Sequence, residues 1–303
     1  MYLLVSAAVF ATAYLLNITW ISLFYHRALA HRAIVLGPRM RRFVVAVGPW
    51  ITGMDPKAWV CMHRLHHRHS DTPKDPHSPR NAGILGVLFA QYTAYIAIQR
   101  GLAKGDLALI RTVSDLDFEA PRWMYNRATA LMPYLVHAAA AAAFAALTGY
   151  WLLAAAFWVG MMSHPVQGWL VNAFAHSVGH RNFDLRDDSR NTWLLGVLVA
   201  GEGLQNNHHA FPASAKFSFR WWEIDPGWGI ARTLDAVGLV DIRTDRLIPT
   251  PAAWQAKTAA RRRLLQELGP ARAAAGELIS RLEPLPEAVL AAARETVSEL
   301  VAP

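Results

Sequence analysis

The 303-residue sequence contains a single cysteine, Cys61. One cysteine excludes an internal disulfide framework and any cysteine-based zinc or iron–sulfur site. Charged residues make up only 17% of the chain, against about 25% in ordinary soluble domains. The sequence also has no Gly-rich phosphate loop and no dinucleotide fingerprint, and no nucleophile elbow. It therefore predicts no bound nucleotide cofactor, and histidine is left as the only abundant nitrogen or sulfur ligand.

The net charge of +8 fits either a nucleic acid or an anionic membrane surface. The long apolar stretches favour an anionic membrane surface, so no nucleic-acid partner is expected. Residues 2–25 carry no charge and exceed the length of about 20 residues that a membrane-spanning helix needs. They lack the basic start and the cleavage site of a signal peptide. We interpret them as a retained membrane span.

Basic residues begin directly after this span, and none precedes it. The positive-inside rule then predicts an outside N-terminus and a cytoplasmic position for His26. We expect an integral membrane protein, and a bacterial inner membrane as its location. The basic residues that follow the span are Arg27, Arg32, Arg39, Arg41 and Arg42.

Two further uncharged stretches, 128–148 and 151–171, predict a helical hairpin with a short outer turn. The apolar run 43–54 is too short to span a bilayer, so it is expected to lie in the interface or to dip into the membrane and return. The run 83–98 predicts an interfacial helix. The expected fold class is all-α integral membrane, with about three transmembrane helices plus interfacial helices and a cytoplasmic helical cap. We predict two domains: a membrane domain over 1–250 and a soluble helical extension over 251–303.

Histidines cluster in three short motifs, and one more follows the last predicted span. On a helix, His63 shares a face with His66 and His67, because residues three and four apart are neighbours. Imidazole is the commonest metal ligand. Eight imidazoles exceed the four ligands of a structural zinc, so two metals are the simpler count, with iron, copper and zinc all open. The predicted metal ligands are His26, His31, His63, His66, His67, His176, His208 and His209.

These motifs resemble those of the membrane fatty acyl desaturases of the stearoyl-CoA (Δ9) type. The resemblance covers roughly residues 15–230. It implies two iron ions, molecular oxygen, two external electrons and a cis double bond made at Δ9 in a long-chain acyl group. Its residues are His26-x4-His31, His63-x2-His66-His67 followed by Ser-Asp-Thr-x-x-Asp-Pro-His, Asn172-x3-His176, Gly201-Glu202-Gly203 with Asn206-x-His208-His209-x-Phe-Pro, and Trp222-Glu223-Ile224-Asp225.

The sequence departs from the family pattern at Gln205, where the third box usually has its first histidine. Gln205, Asn172 and Glu202 are predicted as weak ligands or as residues that orient the ligands. Relatives that bind coenzyme A have Arg-Asp before the second box, where this chain has Cys61 and Met62. The substrate is therefore expected to be a long-chain acyl-CoA or an acyl-lipid.

A fused cytochrome b5 motif, His-Pro-Gly-Gly, does not occur in the sequence. We therefore expect a separate electron donor protein of the ferredoxin, rubredoxin or cytochrome b5 type. Two alternative functions stay open. A lipid or alkyl-chain hydroxylase or ketolase would use the same metals, and a non-catalytic membrane metal-binding protein is favoured only by Gln205.

Other histidines and tryptophans have plainer interpretations. His137 and His164 lie in predicted spans and are expected to be hydrogen-bonded structural residues. Trp221 and Trp222 are interpreted as membrane-interface anchors or core residues in preference to walls of a substrate tunnel. Three histidines lie near the motifs but outside their spacing, namely His69, His77 and His180.

Overall fold

A computed structural model describes residues 1–119, 121–126 and 129–245. This part of the chain is predominantly helical, as the sequence predicts. The predicted C-terminal extension, 251–303, and the proposed boundary at residue 250 lie outside the described residues.

The first helix, α1, covers Tyr2–Thr19 and continues without a break as a π-helix over Trp20–Ala30. Together they form a 29-residue apolar helix that is long enough to cross a membrane. Every residue of the π-helical segment is buried. The π-helix was not predicted; such segments are rare and occur frequently at functional sites.

Helices α2 (Pro38–Thr52) and α3 (Pro56–His69) follow. Gly53 ends α2 in a left-handed conformation with φ 71°, which glycine adopts without steric cost. Asp55 then caps α3, because its carboxylate accepts the backbone N–H of Lys57 over 2.9 Å. The apolar run 43–54 thus forms most of α2, and α3 carries the second histidine motif.

Helix α4 covers Pro79–Ala103, with a kink at Gly83. It is longer than the interfacial helix predicted over 83–98, because Ser78 caps it upstream by accepting the N–H of Arg80. Among the described residues, Tyr2–Ala30 and Pro79–Ala103 are the helices long and apolar enough to cross a membrane. The count of about three spans stays a prediction.

The predicted hairpin is present, but its second arm is not one helix. Helix α6 (Met132–Thr148) and helix α7 (Trp151–Met161) are joined by a turn at Gly149. The chain then breaks at Ser163 and resumes as α8 (His164–Trp169) and a π-helical turn (Leu170–Phe174). The expectation of a single helix over 151–171 is wrong, because Pro165 has no N–H to continue the bonding of α7.

The remaining elements of the described chain are short. A two-stranded antiparallel sheet, which the all-α prediction omitted, pairs Ile34–Val35 (β1) with Asp241–Ile242 (β2). It ties the segment after the first motif to residues more than 200 positions later. The remaining helices are α5 (Leu107–Thr112), a 3-10 turn (Arg122–Tyr125), α9 (Trp193–Leu198), α10 (Gln205–Ala210) and α11 (Pro226–Ala236).

Candidate metal centre

All eight predicted histidines come together in two adjacent groups. The larger group contains five of them, and one ring nitrogen of each lies within 4.8 Å of the others. His208 Nε2 lies 3.0 Å from His26 Nε2 and 2.9 Å from His67 Nε2. Facing nitrogens of neutral rings cannot all donate to one another, so this group could hold a cation. The five-histidine group is His26, His31, His63, His67 and His208.

The smaller group consists of His66, His176 and His209. Their ring centroids are 5.0–5.2 Å apart and their planes meet at 68–71°. All three Nε2 atoms are buried and have no hydrogen-bond partner among the described residues. Since a nitrogen lone pair lies in the plane of its ring, steeply inclined planes allow three lone pairs to meet at one point.

Each ring of the three-histidine group is held from behind by a carboxylate. His66 Nδ1 donates to Asp75 over 3.0 Å, His176 Nδ1 to Asp71 over 2.8 Å, and His209 Nδ1 to Asp187 over 3.0 Å. A carboxylate in this position fixes the tautomer, so Nε2 carries the free lone pair. Carboxylate–histidine pairs of this kind typically surround bound metals.

The carboxylates of these pairs remain ionised. Burial alone would raise the pKa of Asp75, but the hydrogen bond from His66 outweighs it and lowers the pKa to about 2. Asp71 and Asp187 follow the same balance, and their histidine partners hold both pKa values well below the usual range.

The five-histidine group has a different electrostatic character. Burial, reinforced by the neighbouring imidazoles, holds the pKa values of His63, His67 and His208 well below the usual value. These rings are therefore neutral near pH 7, and the neutral imidazole is the form that binds metals.

Helices α3 and α10 contribute to both groups. In α3, His63 and His67 belong to the five-histidine group and His66 to the other. In α10, His208 and His209 divide in the same way. Consecutive helical side chains point about 100° apart, so each helix lies between the two groups. The sequence interpretation had placed His63, His66 and His67 on one shared face.

The π-helix explains the spacing of the first motif. His31 N–H donates to the carbonyl of His26 over 3.1 Å, which is the i to i+5 bond of a π turn. A separation of five residues therefore brings the two rings within 4.9 Å of each other. In an α-helix, residues five apart do not share a face.

Glu202 orients the first motif from behind. Its carboxylate accepts from His26 Nδ1 over 2.6 Å and pairs with the buried Arg27 over 3.0 Å. Arg27 also pairs with Asp225 over 3.0 Å and lies 3.7 Å above the ring of Phe217. The Gly-Glu-Gly and Trp-Glu-Ile-Asp motifs are thereby fixed to the first helix.

A cavity opens beside the five-histidine group. His26 and His63 line it, together with Ile18 and Ile21 of the first helix. Gln205 lines it as well, is 2% exposed, and its Oε1 has no hydrogen-bond partner among the described residues.

Comparison with known proteins identifies the family. The fatty acid desaturase family profile matches residues 2–241. Three relatives with this pattern are each 33% identical to the chain. They are an acyl-CoA 5-desaturase of Anemone leveillei (76% of this chain and 67% of the relative), Delta-9 acyl-lipid desaturase 1 of Arabidopsis thaliana (76% and 71%), and an sn-1 stearoyl-lipid 9-desaturase of Anabaena variabilis (72% and 76%).

The chain belongs to the fatty acid desaturase family. It is a fatty acyl desaturase, an oxidoreductase whose histidine groups could hold metal ions.

Several residues of this desaturase lie elsewhere than the sequence suggested. Asn172 contacts Gln91, with Nδ2 donating to Oε1 over 3.4 Å, and lines the cavity. His77 stacks on His66 with ring centroids 4.7 Å apart and planes at 25°. Together with Asp75, these two histidines form a third group whose ligand atoms lie within 4.8 Å of one another and could hold a metal ion. His180 instead pairs with Glu223 over 3.0 Å, away from both groups.

The histidines and tryptophans that were not predicted to be metal ligands have different outcomes. His137 Nε2 donates to the carbonyl of Trp50 over 2.9 Å, as expected for a structural histidine. His164 is buried, but its Nδ1 has no partner within the described chain. Trp221 is 91% exposed and Trp222 is 49% exposed, so neither is a core residue and neither lines the cavity. His69 belongs to neither histidine group.

Sequence reasoning missed the carboxylates that hold the second group. Asp71 and Asp75 lie in the Ser-Asp-Thr-x-x-Asp-Pro-His stretch after the second motif, so their spacing from the histidines was a usable signal. Asp187 lies in a loop with no comparable pattern in the sequence.

Proposed function

We propose that this desaturase uses molecular oxygen and two iron ions to introduce a cis double bond into a long-chain acyl group, at Δ9. The observation that carries the proposal is the three-histidine group, whose Nε2 atoms are buried, unpartnered and inclined toward a common point. An unsatisfied buried polar atom costs about 1–3 kcal/mol. Three such atoms around one point are explained by a bound cation.

The donor set suits iron. Imidazole nitrogens bind iron, copper and zinc, and the family supports a di-iron assignment. Iron held here would supply the oxidising power that removes hydrogen from an unactivated carbon. The five-histidine group would be the first iron site and the three-histidine group the second.

The second site has fewer imidazoles and therefore needs another ligand or an open position. Gln205 begins helix α10, and His209 lies four residues later on the same face. Its amide oxygen is buried without a partner among the described residues. We assign Gln205 Oε1 as a fourth, weaker protein ligand of this site, and Glu202 and Asn172 as residues that bind no metal directly.

The cavity is the proposed position of the acyl chain. Its apolar lining includes Ile18, Ile21, Trp59, Met62 and Val171, and its polar lining includes His26 and His63. An acyl chain in this space would pass directly beside the imidazoles. Apolar walls exclude water from the reacting carbons, which suppresses side reactions.

Orientation, carrier and electron donor complete the proposal. The abundance of basic residues directly after the first helix supports a cytoplasmic position for the histidines; the outside N-terminus and the bacterial inner membrane remain part of the proposal. The relatives include one acyl-CoA desaturase and two that act on lipids by name, which supports an acyl-CoA or acyl-lipid substrate. A separate ferredoxin, rubredoxin or cytochrome b5 type protein would deliver electrons.

A fatty-acid profile of cells expressing the wild type or His67→Ala tests the function. Gas chromatography–mass spectrometry with double-bond location should find a new monounsaturated acid only with the wild type, its bond at Δ9. His69→Ala is the matched control and should keep the product, because His69 lies outside both histidine groups. A hydroxylated or ketone product would instead support the hydroxylase alternative. Full activity of His67→Ala would refute the role of the five-histidine group.

A further inference from the structure

Glu223 is a buried acidic residue that the proposed chemistry does not use. It is 5% exposed, and its carboxylate lies 3.0 Å from Nε2 of the partly exposed His180. A buried carboxylate is costly unless it is hydrogen-bonded. The hydrogen bonds that Glu223 accepts therefore show which parts of the molecule it joins.

The carboxylate of Glu223 joins three segments of the chain. Its Oε2 accepts the backbone N–H groups of Phe219 and Arg220 over 2.6 and 2.8 Å, and Nδ2 of Asn207 over 2.7 Å. Its Oε1 accepts Nδ2 of Asn182 over 2.6 Å. Burial alone would raise the pKa of Glu223, but the backbone hydrogen bonds from Arg220 and Phe219 outweigh it and lower the pKa. The carboxylate is therefore ionised.

Asn207 of α10 is the centre of these contacts and is fully buried. Its Nδ2 donates to Glu223 and to the carbonyl of Phe217, the latter over 2.9 Å. Its Oδ1 accepts Nδ2 of Asn182 and Nδ2 of Asn191, each over 2.8 Å. An amide has two donor hydrogens and two acceptor lone pairs, so every hydrogen-bonding position of this side chain is used.

Both histidine groups are connected to Asn207. It directly precedes His208 and His209 in the chain. Phe217, whose carbonyl Asn207 holds, packs on His208 with ring centroids 4.5 Å apart. The loop to which Asn207 bonds also carries Asp187, the carboxylate that orients His209. A displacement of Asn207 would therefore disturb one ring of each group.

Asn206 closes the same loop onto α10. Its Oδ1 accepts the backbone N–H groups of Asn182 and Phe183, each over 2.8 Å, and its Nδ2 donates to the carbonyl of Phe183 over 2.8 Å. The two asparagines between Gln205 and His208 thus both hold α10 against neighbouring segments.

We propose that Glu223 is a positioning residue of the metal centre that acts through Asn207. It holds α10 in the rotation that directs His208 to the five-histidine group and His209 to the three-histidine group. The inference rests on the proposed function. Consecutive side chains of a helix point about 100° apart, so a rotation of α10 about its axis would misalign both rings together. The loss of this carboxylate should therefore weaken both metal sites.

Binding of Co²⁺ to the purified full-length protein tests the proposal, because the visible absorption bands of Co²⁺ report the geometry of its ligands. Glu223→Gln keeps the size of the side chain but removes the charge and places an amide N–H group against other donors. We expect altered bands for both bound ions and at least about tenfold faster release of both to EDTA, the lower bound for losing a supporting group.

Glu119→Gln is the matched control. It makes the same chemical change at an exposed glutamate, so its bands and release rates should equal those of the wild type. A purely structural role of Glu223 would lower the midpoint of thermal unfolding and leave the bands of the folded Glu223→Gln protein unchanged. That result would overturn the proposal, as would a change confined to one of the two bound ions.

Asn182→Ala tests the proposal if Glu223→Gln does not fold. This variant removes the two bonds that Asn182 Nδ2 donates to Glu223 and Asn207 and leaves the carboxylate in place. The cobalt bands should shift in the same direction by a smaller amount. Unchanged bands in folded Asn182→Ala would show that these contacts do not position α10.

Failure of the proposed function is distinguishable from failure of this inference, because cobalt binding needs no oxygen, electron donor or acyl substrate. A wild type that binds two Co²⁺ ions but makes no unsaturated product in cells would contradict desaturation. The effect of Glu223→Gln on the cobalt bands would still decide the role of Glu223.

Discussion

His176 donates a hydrogen bond from Nδ1 to Asp71 Oδ2 over 2.8 Å, and the same oxygen accepts the backbone N–H of Asp188. The ring is thereby held with Nε2 toward His66 and His209. Asp71 also accepts from Ser78 Oγ over 2.6 Å. One carboxylate therefore links the loop after the second motif, the start of α4 and the histidine after the last apolar stretch.

Replacing Asp71 with asparagine should weaken metal binding at the three-histidine group by about 10–100-fold, the usual cost of losing such a partner. The amide no longer stabilises the tautomer that leaves Nε2 free. Iron retention by purified protein during titration with a chelator measures the effect. Asp188→Asn is the control, because its side chain pairs with Arg80 at the surface. Equal iron retention in the two variants would argue against the orienting role of Asp71.

Gln205 provides a second test of the same site. Gln205→Leu should lose one of the two irons at least about tenfold faster than the wild type, the lower bound for losing a supporting group. Gln205→His should retain both irons more tightly, because imidazole replaces a weaker amide oxygen. Chelator-induced iron release, followed by iron analysis, is the measurement. Gln91 lines the same cavity, so Gln91→Leu is the control and should release iron as the wild type does. Unchanged iron release from Gln205→Leu would exclude Gln205 as a ligand.

Helix α7 packs closely against α1 at Gly160. A Cβ there would lie 2.7 Å from the carbonyl oxygen of Phe10 and 2.9 Å from Ala13 Cβ. Gly160→Ala should therefore destabilise the protein by about 1–3 kcal/mol, the usual cost of overpacking. Thermal unfolding followed by tryptophan fluorescence measures this. Gly229→Ala in α11 has no atom within 4 Å of the new Cβ and should be neutral or stabilising; destabilisation of equal size would contradict the packing argument.

Asp55 predicts a pH effect outside the metal centre. Burial raises the pKa of this N-cap carboxyl to about 6, because desolvation outweighs the backbone hydrogen bonds from Lys57 and Ala58. The folded-state pKa is above the unfolded value of about 4. The folded protein therefore binds this proton more tightly than the unfolded chain does. The stabilising contribution of the carboxyl to the free energy of unfolding is fully present below about pH 4 and is lost as pH rises through 6.

Asp55→Asn remains uncharged and can still cap α3. Relative to the wild type, the variant should gain about 3 kcal/mol of stability between pH 4 and pH 7, since one pKa unit corresponds to about 1.4 kcal/mol. Unfolding of both proteins at the two pH values gives the difference. A constant difference across this range would show that Asp55 has an ordinary pKa.

The sequence identified the eight histidines because their spacing is compact and their number far exceeds ordinary use. It also predicted an all-helical chain from its apolar runs. It could not divide the histidines into groups of five and three, because the division depends on α3 and α10 lying between them. The π-helix of the first motif likewise depends on burial by distant segments such as 200–202 and 215–225, through Arg27.

The break at Ser163 was readable in part, because Pro165 follows it directly. The uniformly apolar character of 151–171 outweighs the signal from Pro165 and predicts one continuous helix. His164 Nδ1 and Gln167 Oε1 lie directly after this break and have no hydrogen-bond partner among the described residues. No local sequence pattern encodes this, so it emerged only from the assembled structure.

The central claim is that two iron ions are held by two unequal histidine groups. Iron analysis of purified wild type and His176→Ala tests it most directly. We expect two irons per chain in the wild type and about one in His176→Ala, since that variant removes one of only three imidazoles at the second group and leaves the five-histidine group intact. A wild type that contains no iron yet desaturates acyl chains would contradict the account, as would a His176→Ala protein that keeps both irons.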